Sequence, residues 1–181
     1  DIMNTDYLLK ELEPNSKGRI PENYFVAFYG NPGTDKTWAW KFSGHHLALN
    51  YTIVDNQLAF APFFFGVYPA LRMNSEGKEK KLFKEEEELG FKLVNALTQE
   101  QRFKAVFRLE AFADIVTKTL PKVVPFDTAG IMAKDLTLEQ KHVLNQLIVI
   151  YLSRMPPKIA QLRMKRIVSE DFNEIKFGWA G

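Results

Sequence analysis

The sequence predicts an α+β fold in which an antiparallel β-sheet, formed by about residues 24–67, packs against helices from the C-terminal half of the chain. Between residues 24 and 67, apolar side chains recur at every second position and are rich in aromatic and β-branched types, which is typical of half-buried strands. In residues 79–118 and 137–168 they recur with the helical period instead. An apolar content of 46% over 181 residues is enough for a substantial core.

These elements are interpreted as a single, incomplete domain. Its parts are a helix and loop (1–23), the sheet region (24–70), a helix pair (79–118), a second helix pair (137–168) and a strand-like end (172–181). The chain begins on Asp1 and stops at Gly181, after an apolar segment with nothing behind it to complete a sheet. We therefore expect both ends to have been cut from a longer polypeptide.

Capping signals indicate where the helices begin and end. Asn4 or Thr5 is expected to cap a short first helix, which Pro14 ends. Two Thr-x-x-Gln capping boxes, at residues 98–101 and 137–140, are expected to open one helix in each later pair.

The bulk composition excludes several classes of site. No cysteine occurs, which excludes a disulfide framework, a zinc–thiolate site and a cysteine nucleophile. The formal net charge of +2 gives little attraction to nucleic acid, and the basic residues from Arg154 to Arg166 are typical of a solvated helix surface. Because no apolar run could cross a bilayer and no signal peptide is evident, we expect no membrane partner. The compartment is left open.

The segment Gly30–Thr37, GNPGTDKT, comes within one residue of the phosphate-binding pattern G-x-x-x-x-G-K-[ST]. The departure is Asp35, whose carboxylate would repel phosphate where a glycine amide must approach it closely. The residues after Lys36 alternate as in a strand, whereas a phosphate site needs a helix there. We interpret the segment as a polar β-hairpin loop and predict no nucleotide site.

A change in the phase of the alternation singles out the adjacent histidines His45 and His46. Apolar residues fall on even positions over residues 38–42 and on odd positions over residues 47–53. If both sets face one side of the sheet, the segment between them must hold a one-residue bulge or a tight corner, with Gly44 as its natural place. On a regular strand, His46 would point to the polar face and His45 to the core.

The segment VDNQ predicts a second hairpin, with Asp55 and Asn56 as its two-residue turn. The resulting register sets Ile53 opposite Leu58, Tyr51 opposite Phe60, and Leu47 opposite Phe64, all on one face.

His45 and His46 are the candidate catalytic residues and the candidate ligands of a divalent metal, because a neutral imidazole can act as a general base or bind a metal. Both could bind one metal only if the bulge rotates one of them. A metal site needs about three or four ligands, and the sequence shows no matching cluster. His142 falls on a later helix.

Several segments of the chain are also distinctive as a set. They are YFVAFYGNP, WAWKFSGHHLALNYTI, PFFFGVYPA, EEEELGFKLVNALTQEQ, the GI segment before LTLEQ, and FGWAG. In these segments and their order the chain resembles the DUF3500 family, which lacks an established activity; the W-x-W and GHHL residues are the most specific part. Family members look longer than this chain. The resemblance implies that His45 or His46 would meet histidines from a region that follows FGWAG in the family. The missing remainder of the chain is therefore the partner that the resemblance implies.

Two classes of function remain open at this point. The first is an enzyme with a pocket over the GHH segment, in which a histidine binds a divalent metal or acts as a general base. The alternative is a non-catalytic module that binds a small molecule or is purely structural. In that case Trp38, Trp40 and the aromatic residues of PFFFG would flank a small-molecule cleft, and the histidines would be structural. The candidate ligand-binding residues are Trp38, Trp40, Gly44 and Asn50.

Overall fold

The computed structural model describes residues 2–73, 77, 79–117 and 129–181. The chain divides into two compact units, Asp1–Phe83 and Lys84–Gly181. The first contains a four-stranded antiparallel sheet and the second contains most of the helices, so the predicted α+β class is confirmed. No helix within the described ranges is both long and apolar enough to cross a membrane.

The first unit begins with helix α1 (Ile2–Leu12), which ends before Pro14 as predicted. The predicted cap is wrong, because the helix begins ahead of Asn4 and Thr5. The hydroxyl of Thr5 donates to the Ile2 carbonyl at 2.6 Å, within the first turn. Asp6 therefore lies inside the helix.

The sheet consists of consecutive strands, each antiparallel to the next. They are β1 (Phe25–Tyr29), β2 (Thr37–Ser43), β3 (Leu47–Val54) and β4 (Gln57–Phe65). Residues 30–36 join β1 to β2, and a strand follows them, so the predicted hairpin loop is confirmed. The Asp35 carboxylate accepts the backbone N–H of Asn31 at 2.8 Å and so holds this loop together. Two short strands, β5 (Leu71–Met73) and β6 (Glu79–Lys81), form a separate antiparallel pair.

The apolar residues of β2 and β3 share one face, as the alternation predicts. Trp40 lies opposite Tyr51, and the two rings stack with centroids 4.4 Å apart. The phase change comes from a four-residue turn, Gly44–Leu47, which the Gly44 N–H closes by donating to the Leu47 carbonyl at 2.8 Å. Of the two alternatives for this segment, the tight corner is therefore correct and the bulge is not.

The hairpin between β3 and β4 turns at Asp55 and Asn56, whose φ angles of 47° and 64° are those a two-residue hairpin turn requires. The predicted pairs nearest the turn, Ile53 with Leu58 and Tyr51 with Phe60, are confirmed.

Farther from the turn, the predicted register is wrong, because Leu47 lies opposite Phe65 rather than Phe64. The pairing shifts by one residue opposite Asn50, where β4 contains an extra residue. The side-chain amide of Asn50 donates to the Pro62 carbonyl at 2.9 Å across this irregularity.

The second unit contains helices and short strand pairs. Its elements are α2 (Lys84–Ala96), α3 (Gln99–Ala105), β7 (Val106–Arg108), β8 (Ile131–Met132), α4 (Leu138–Leu152), α5 (Pro157–Ser169), β9 (Lys176–Phe177) and β10 (Trp179–Ala180). Both predicted capping boxes are present, at the starts of α3 and α4. Strand β7 pairs in parallel with β10, and β8 pairs with β9.

The core of the second unit lies between α2 and α4 and is closed by the strand pairs. Leu93, Leu144 and Phe177 are among its buried members. Gln140 is also buried, and its side-chain amide donates to the Ala96 carbonyl at 2.7 Å. Gln140, the glutamine of the α4 capping box, thus links that helix to the end of α2.

Candidate functional site

His45 and His46 are the two central residues of the turn that joins β2 to β3. Turn residues do not alternate between the faces of a sheet, and the two imidazoles lie side by side with ring centroids 3.9 Å apart. Both Nδ1 atoms contact one carboxylate oxygen, Oδ1 of Asp6, at 3.2 Å for His45 and 2.7 Å for His46. The structure thus joins the two predicted histidines to an acid from α1; we call these three residues the Asp–His cluster.

Asp6 is the buried member of the Asp–His cluster, with only 4% of its surface exposed. Its second oxygen, Oδ2, accepts the hydroxyl hydrogen of Tyr24 at 2.5 Å. A buried carboxylate is stable only when its oxygens are hydrogen-bonded or paired. Three donors, from two imidazoles and one phenol, meet this need.

Arg19 fixes the tautomer of His45. Its Nη1 lies 2.9 Å from Nε2 of His45, while its Nε donates to Glu13 at 2.8 Å. A guanidinium can only donate hydrogen bonds, so Nε2 of His45 must be the acceptor. The ring proton of a neutral His45 therefore lies on Nδ1, where it is donated to Asp6.

His46 has a different environment. Its Nδ1 donates to Asp6. Its Nε2 has no hydrogen-bond partner within the described part of the chain, and this atom is not fully buried. Burial lowers the pKa of His46 below 6.5 and outweighs the opposing hydrogen bond to Asp6. His46 is thus a neutral imidazole at pH 7, with the lone pair of Nε2 open.

Asp6 and Tyr24 differ in protonation state, with the carboxyl group ionised and the phenol protonated. Burial alone would raise the pKa of Asp6, but hydrogen bonds from Tyr24, His46 and His45 outweigh it and hold the pKa below 3.8. Burial, and then the hydrogen bond to Asp6, raise the pKa of Tyr24. Asp6 is therefore an acceptor and Tyr24 a donor across the neutral range.

Gly44 lies beside this network, and a larger residue would not fit at this position. A Cβ atom at this position would lie 2.2 Å from two ring carbons of Tyr24. The same ring also stacks on Phe42, with centroids 5.6 Å apart. Glycine is needed here because Tyr24 must pass close to the backbone to reach Asp6, not because the strand bulges.

The remaining predicted ligand-binding residues lie along the strands. Trp40 packs on Tyr51, and Asn50 bonds to Pro62. Trp38 is six residues from Gly44, which corresponds to roughly 20 Å along an extended strand. Gly44 is therefore the one member of that set which the structure brings to the histidines.

Sequence reasoning missed Asp6, Arg19 and Tyr24. One signal was available for Asp6, which precedes the core residue Leu9 by three positions and so shares its helix face. An acid on the buried face of an amphipathic helix indicates a partner. His142, in contrast, is exposed on α4 in the second unit.

The fold and the site together define an α+β protein with a buried carboxylate held between two adjacent imidazoles. The chain matches the model of the family described as Protein of unknown function (DUF3500) over residues 1–181, and it belongs to that family. The resemblance inferred from the sequence is confirmed. No curated protein and no solved structure matches the chain.

Acidification is expected to destabilise the fold through His46. The pKa of His46 is below 6.5 in the folded protein, so the unfolded chain binds more protons than the folded protein below that pH. The free energy of unfolding therefore falls as the pH drops from about 6.5 through the pKa of folded His46. The stabilisation from ionised Asp6 is present above pH 3.8 and is lost as pH falls through its lowered pKa.

The measurement is the urea midpoint as a function of pH. His46→Gln is expected to remove the step that begins near pH 6.5, whereas His142→Gln, at an exposed position, is the matched control and should retain it. An unchanged step in His46→Gln would show that another group carries it.

Proposed function

We propose that the Asp–His cluster is the proton-transfer centre of an enzyme, in which Nε2 of His46 is the general base. The observation that supports this most is the 2.7 Å hydrogen bond from Nδ1 of His46 to Asp6, with Nε2 left open. A carboxylate in this position fixes the imidazole tautomer and stabilises the imidazolium that forms after proton uptake.

Each neighbour has a separate role in this proposal. Tyr24 occupies Oδ2 of Asp6 and leaves Oδ1 to the two imidazoles. Arg19 engages His45 and thereby reserves it as a second donor to Asp6. Because the pKa of His46 is lowered, its base form is present at neutral pH. The substrate group is a water, a hydroxyl or an acidic C–H that reaches Nε2.

The test uses acylation of histidine by diethyl pyrocarbonate, followed residue by residue with peptide mass spectrometry at neutral pH. His45 is the more exposed histidine, with 41% of its side chain accessible against 14% for His46. Exposure alone therefore predicts faster acylation of His45. The proposal predicts the reverse order, because both nitrogens of His45 are engaged while Nε2 of His46 is open.

Two comparisons make the result decisive. Arg19→Ala is expected to accelerate acylation of His45, because it releases Nε2. The exposed His142 is the internal reference for the reagent. Faster acylation of His45 than of His46 in the unaltered protein would contradict the proposal and favour a structural role for the histidines.

A divalent-metal site is a second candidate, favoured by one observation. Asp6, His45 and His46 each offer a ligand atom, and the three atoms lie within 4.8 Å of one another. The position of Arg19 opposes this candidate, since binding through Nδ1 of His45 would put a proton on Nε2, facing the guanidinium donor. His45 could bind in that way only if Arg19 moved.

Metal analysis separates the two candidates. The general-base proposal predicts no stoichiometric zinc in the purified chain and no tight zinc binding by calorimetry. Stoichiometric zinc that is lost in folded His45→Ala and His46→Ala variants would establish the metal site and overturn the general-base role. A metal site would also bind zinc more tightly in Arg19→Gln, which serves as a check on the tautomer argument.

A further inference from the structure

The second unit contains an apolar cavity of about 470 Å³ beside helices α2 and α4 and the last strands. Its apolar lining includes Leu147, Ile148 and Trp179. Tyr151 and Lys176 add polar groups to the lining. A volume of this size falls in the range of small-molecule sites. Gly90 forms part of the wall, and a Cβ there would lie 3.3 Å from the Trp179 ring, so glycine lets the indole pack against α2.

Glu86 also lines this cavity and is an unusual wall residue, because only 7% of its side chain is exposed. Its Oε1 accepts two hydrogen bonds from Arg154, one of them from Nε at 2.8 Å. Its Oε2 is buried and has no hydrogen-bond partner in the described ranges. A buried carboxylate oxygen without a donor is energetically costly, so a small movement of the Glu86 side chain that brings Oε2 to a donor on a bound molecule would be favourable.

We propose that this cavity binds a small apolar molecule that carries one O–H or N–H donor, which Oε2 of Glu86 accepts. The ligand is neutral, because Arg154 already balances the charge of Glu86 and a second buried cation would be uncompensated. The apolar wall takes the body of the molecule, and the single acceptor orients it. This site is independent of the Asp–His cluster.

The test compares β-naphthol with its methyl ether by isothermal titration calorimetry on the whole chain. The two probes share a ring system, but the ether lacks the hydrogen-bond donor. We expect β-naphthol to bind about tenfold more tightly, as for one hydrogen bond to a charged group.

Three variants assign the binding to the cavity. Glu86→Gln is expected to abolish the preference for β-naphthol, and Leu147→Trp, which fills the cavity and keeps Glu86 and Arg154, is expected to abolish binding of both probes. Glu85→Gln, an exposed position on the same helical turn, is the matched control and should change nothing.

Three results would overturn the proposal. They are the absence of binding by both probes, equal affinity for the two probes in the unaltered protein, and binding that persists in Leu147→Trp. The comparison of the two probes needs no variant, so a Glu86→Gln chain that fails to fold leaves the test intact.

Discussion

Asp6→Ala is expected to lower the free energy of unfolding by about 3–5 kcal/mol, the range for removing one partner from a buried charged network. The substitution leaves the hydroxyl of Tyr24 and the Nδ1 hydrogens of His45 and His46 without their acceptor, at a site where Asp6 is only 4% exposed. It also removes the group that fixes the tautomer of His46, so the acylation rate of His46 should fall.

Urea denaturation followed by circular dichroism measures this loss. The matched control is Glu11→Ala, which removes an exposed carboxylate from the same helix and is expected to change stability by about 0.5 kcal/mol or less. If Asp6→Ala were no more harmful than Glu11→Ala, Asp6 could not be the residue that holds the turn and helix α1 together.

Gly44→Ala is expected to cost about 1–3 kcal/mol, the range for overpacking a well-filled site. The new Cβ would lie 2.2 Å from Tyr24, whose ring is also stacked on Phe42 and bonded to Asp6 through its hydroxyl. A shift of the ring that relieves this contact is expected to weaken the hydrogen bond from its hydroxyl to Asp6. The variant should therefore also disturb the Asp–His cluster.

Gly18→Ala is the matched control for this effect, because no atom lies within 4 Å of a Cβ built at Gly18. It is expected to change stability by about 0.5 kcal/mol or less. In a Tyr24→Leu background, Gly44→Ala should become milder, since the ring it clashes with is gone. Equal stability of the two alanine variants would show that Tyr24 does not approach Gly44 closely.

The parity of apolar residues was sufficient to predict the sheet and to place a bulge or a tight corner between residues 42 and 47, and the turn residues Asp55 and Asn56 predicted the last hairpin. It set Tyr51 opposite Phe60, but it could not locate the extra residue in β4, because PFFF is apolar at every position and gives no phase. The register beyond Asn50 was therefore one residue off. Pattern reasoning succeeds where alternation is interrupted once and fails where alternation is absent.

The candidate site was predicted only in part, for a different physical reason. His45 and His46 were expected to point to opposite faces unless a bulge rotated one of them, whereas they lie in a turn and face the same acid. Their partner, Asp6, is 40 positions away from His46 in the sequence. Local periodicity contains no information about such a contact, although an acid on the buried face of α1 was a signal that a partner existed.

The tautomers of His45 and His46 test the central claim most directly, and proton–nitrogen NMR spectroscopy of the ring nitrogens reports them at neutral pH. We predict a protonated Nδ1 and an unprotonated Nε2 in both rings, as the bonds to Asp6 and from Arg19 require. A proton on Nε2 of either neutral ring would contradict the hydrogen-bond assignment and, with it, the role of His46 as a base.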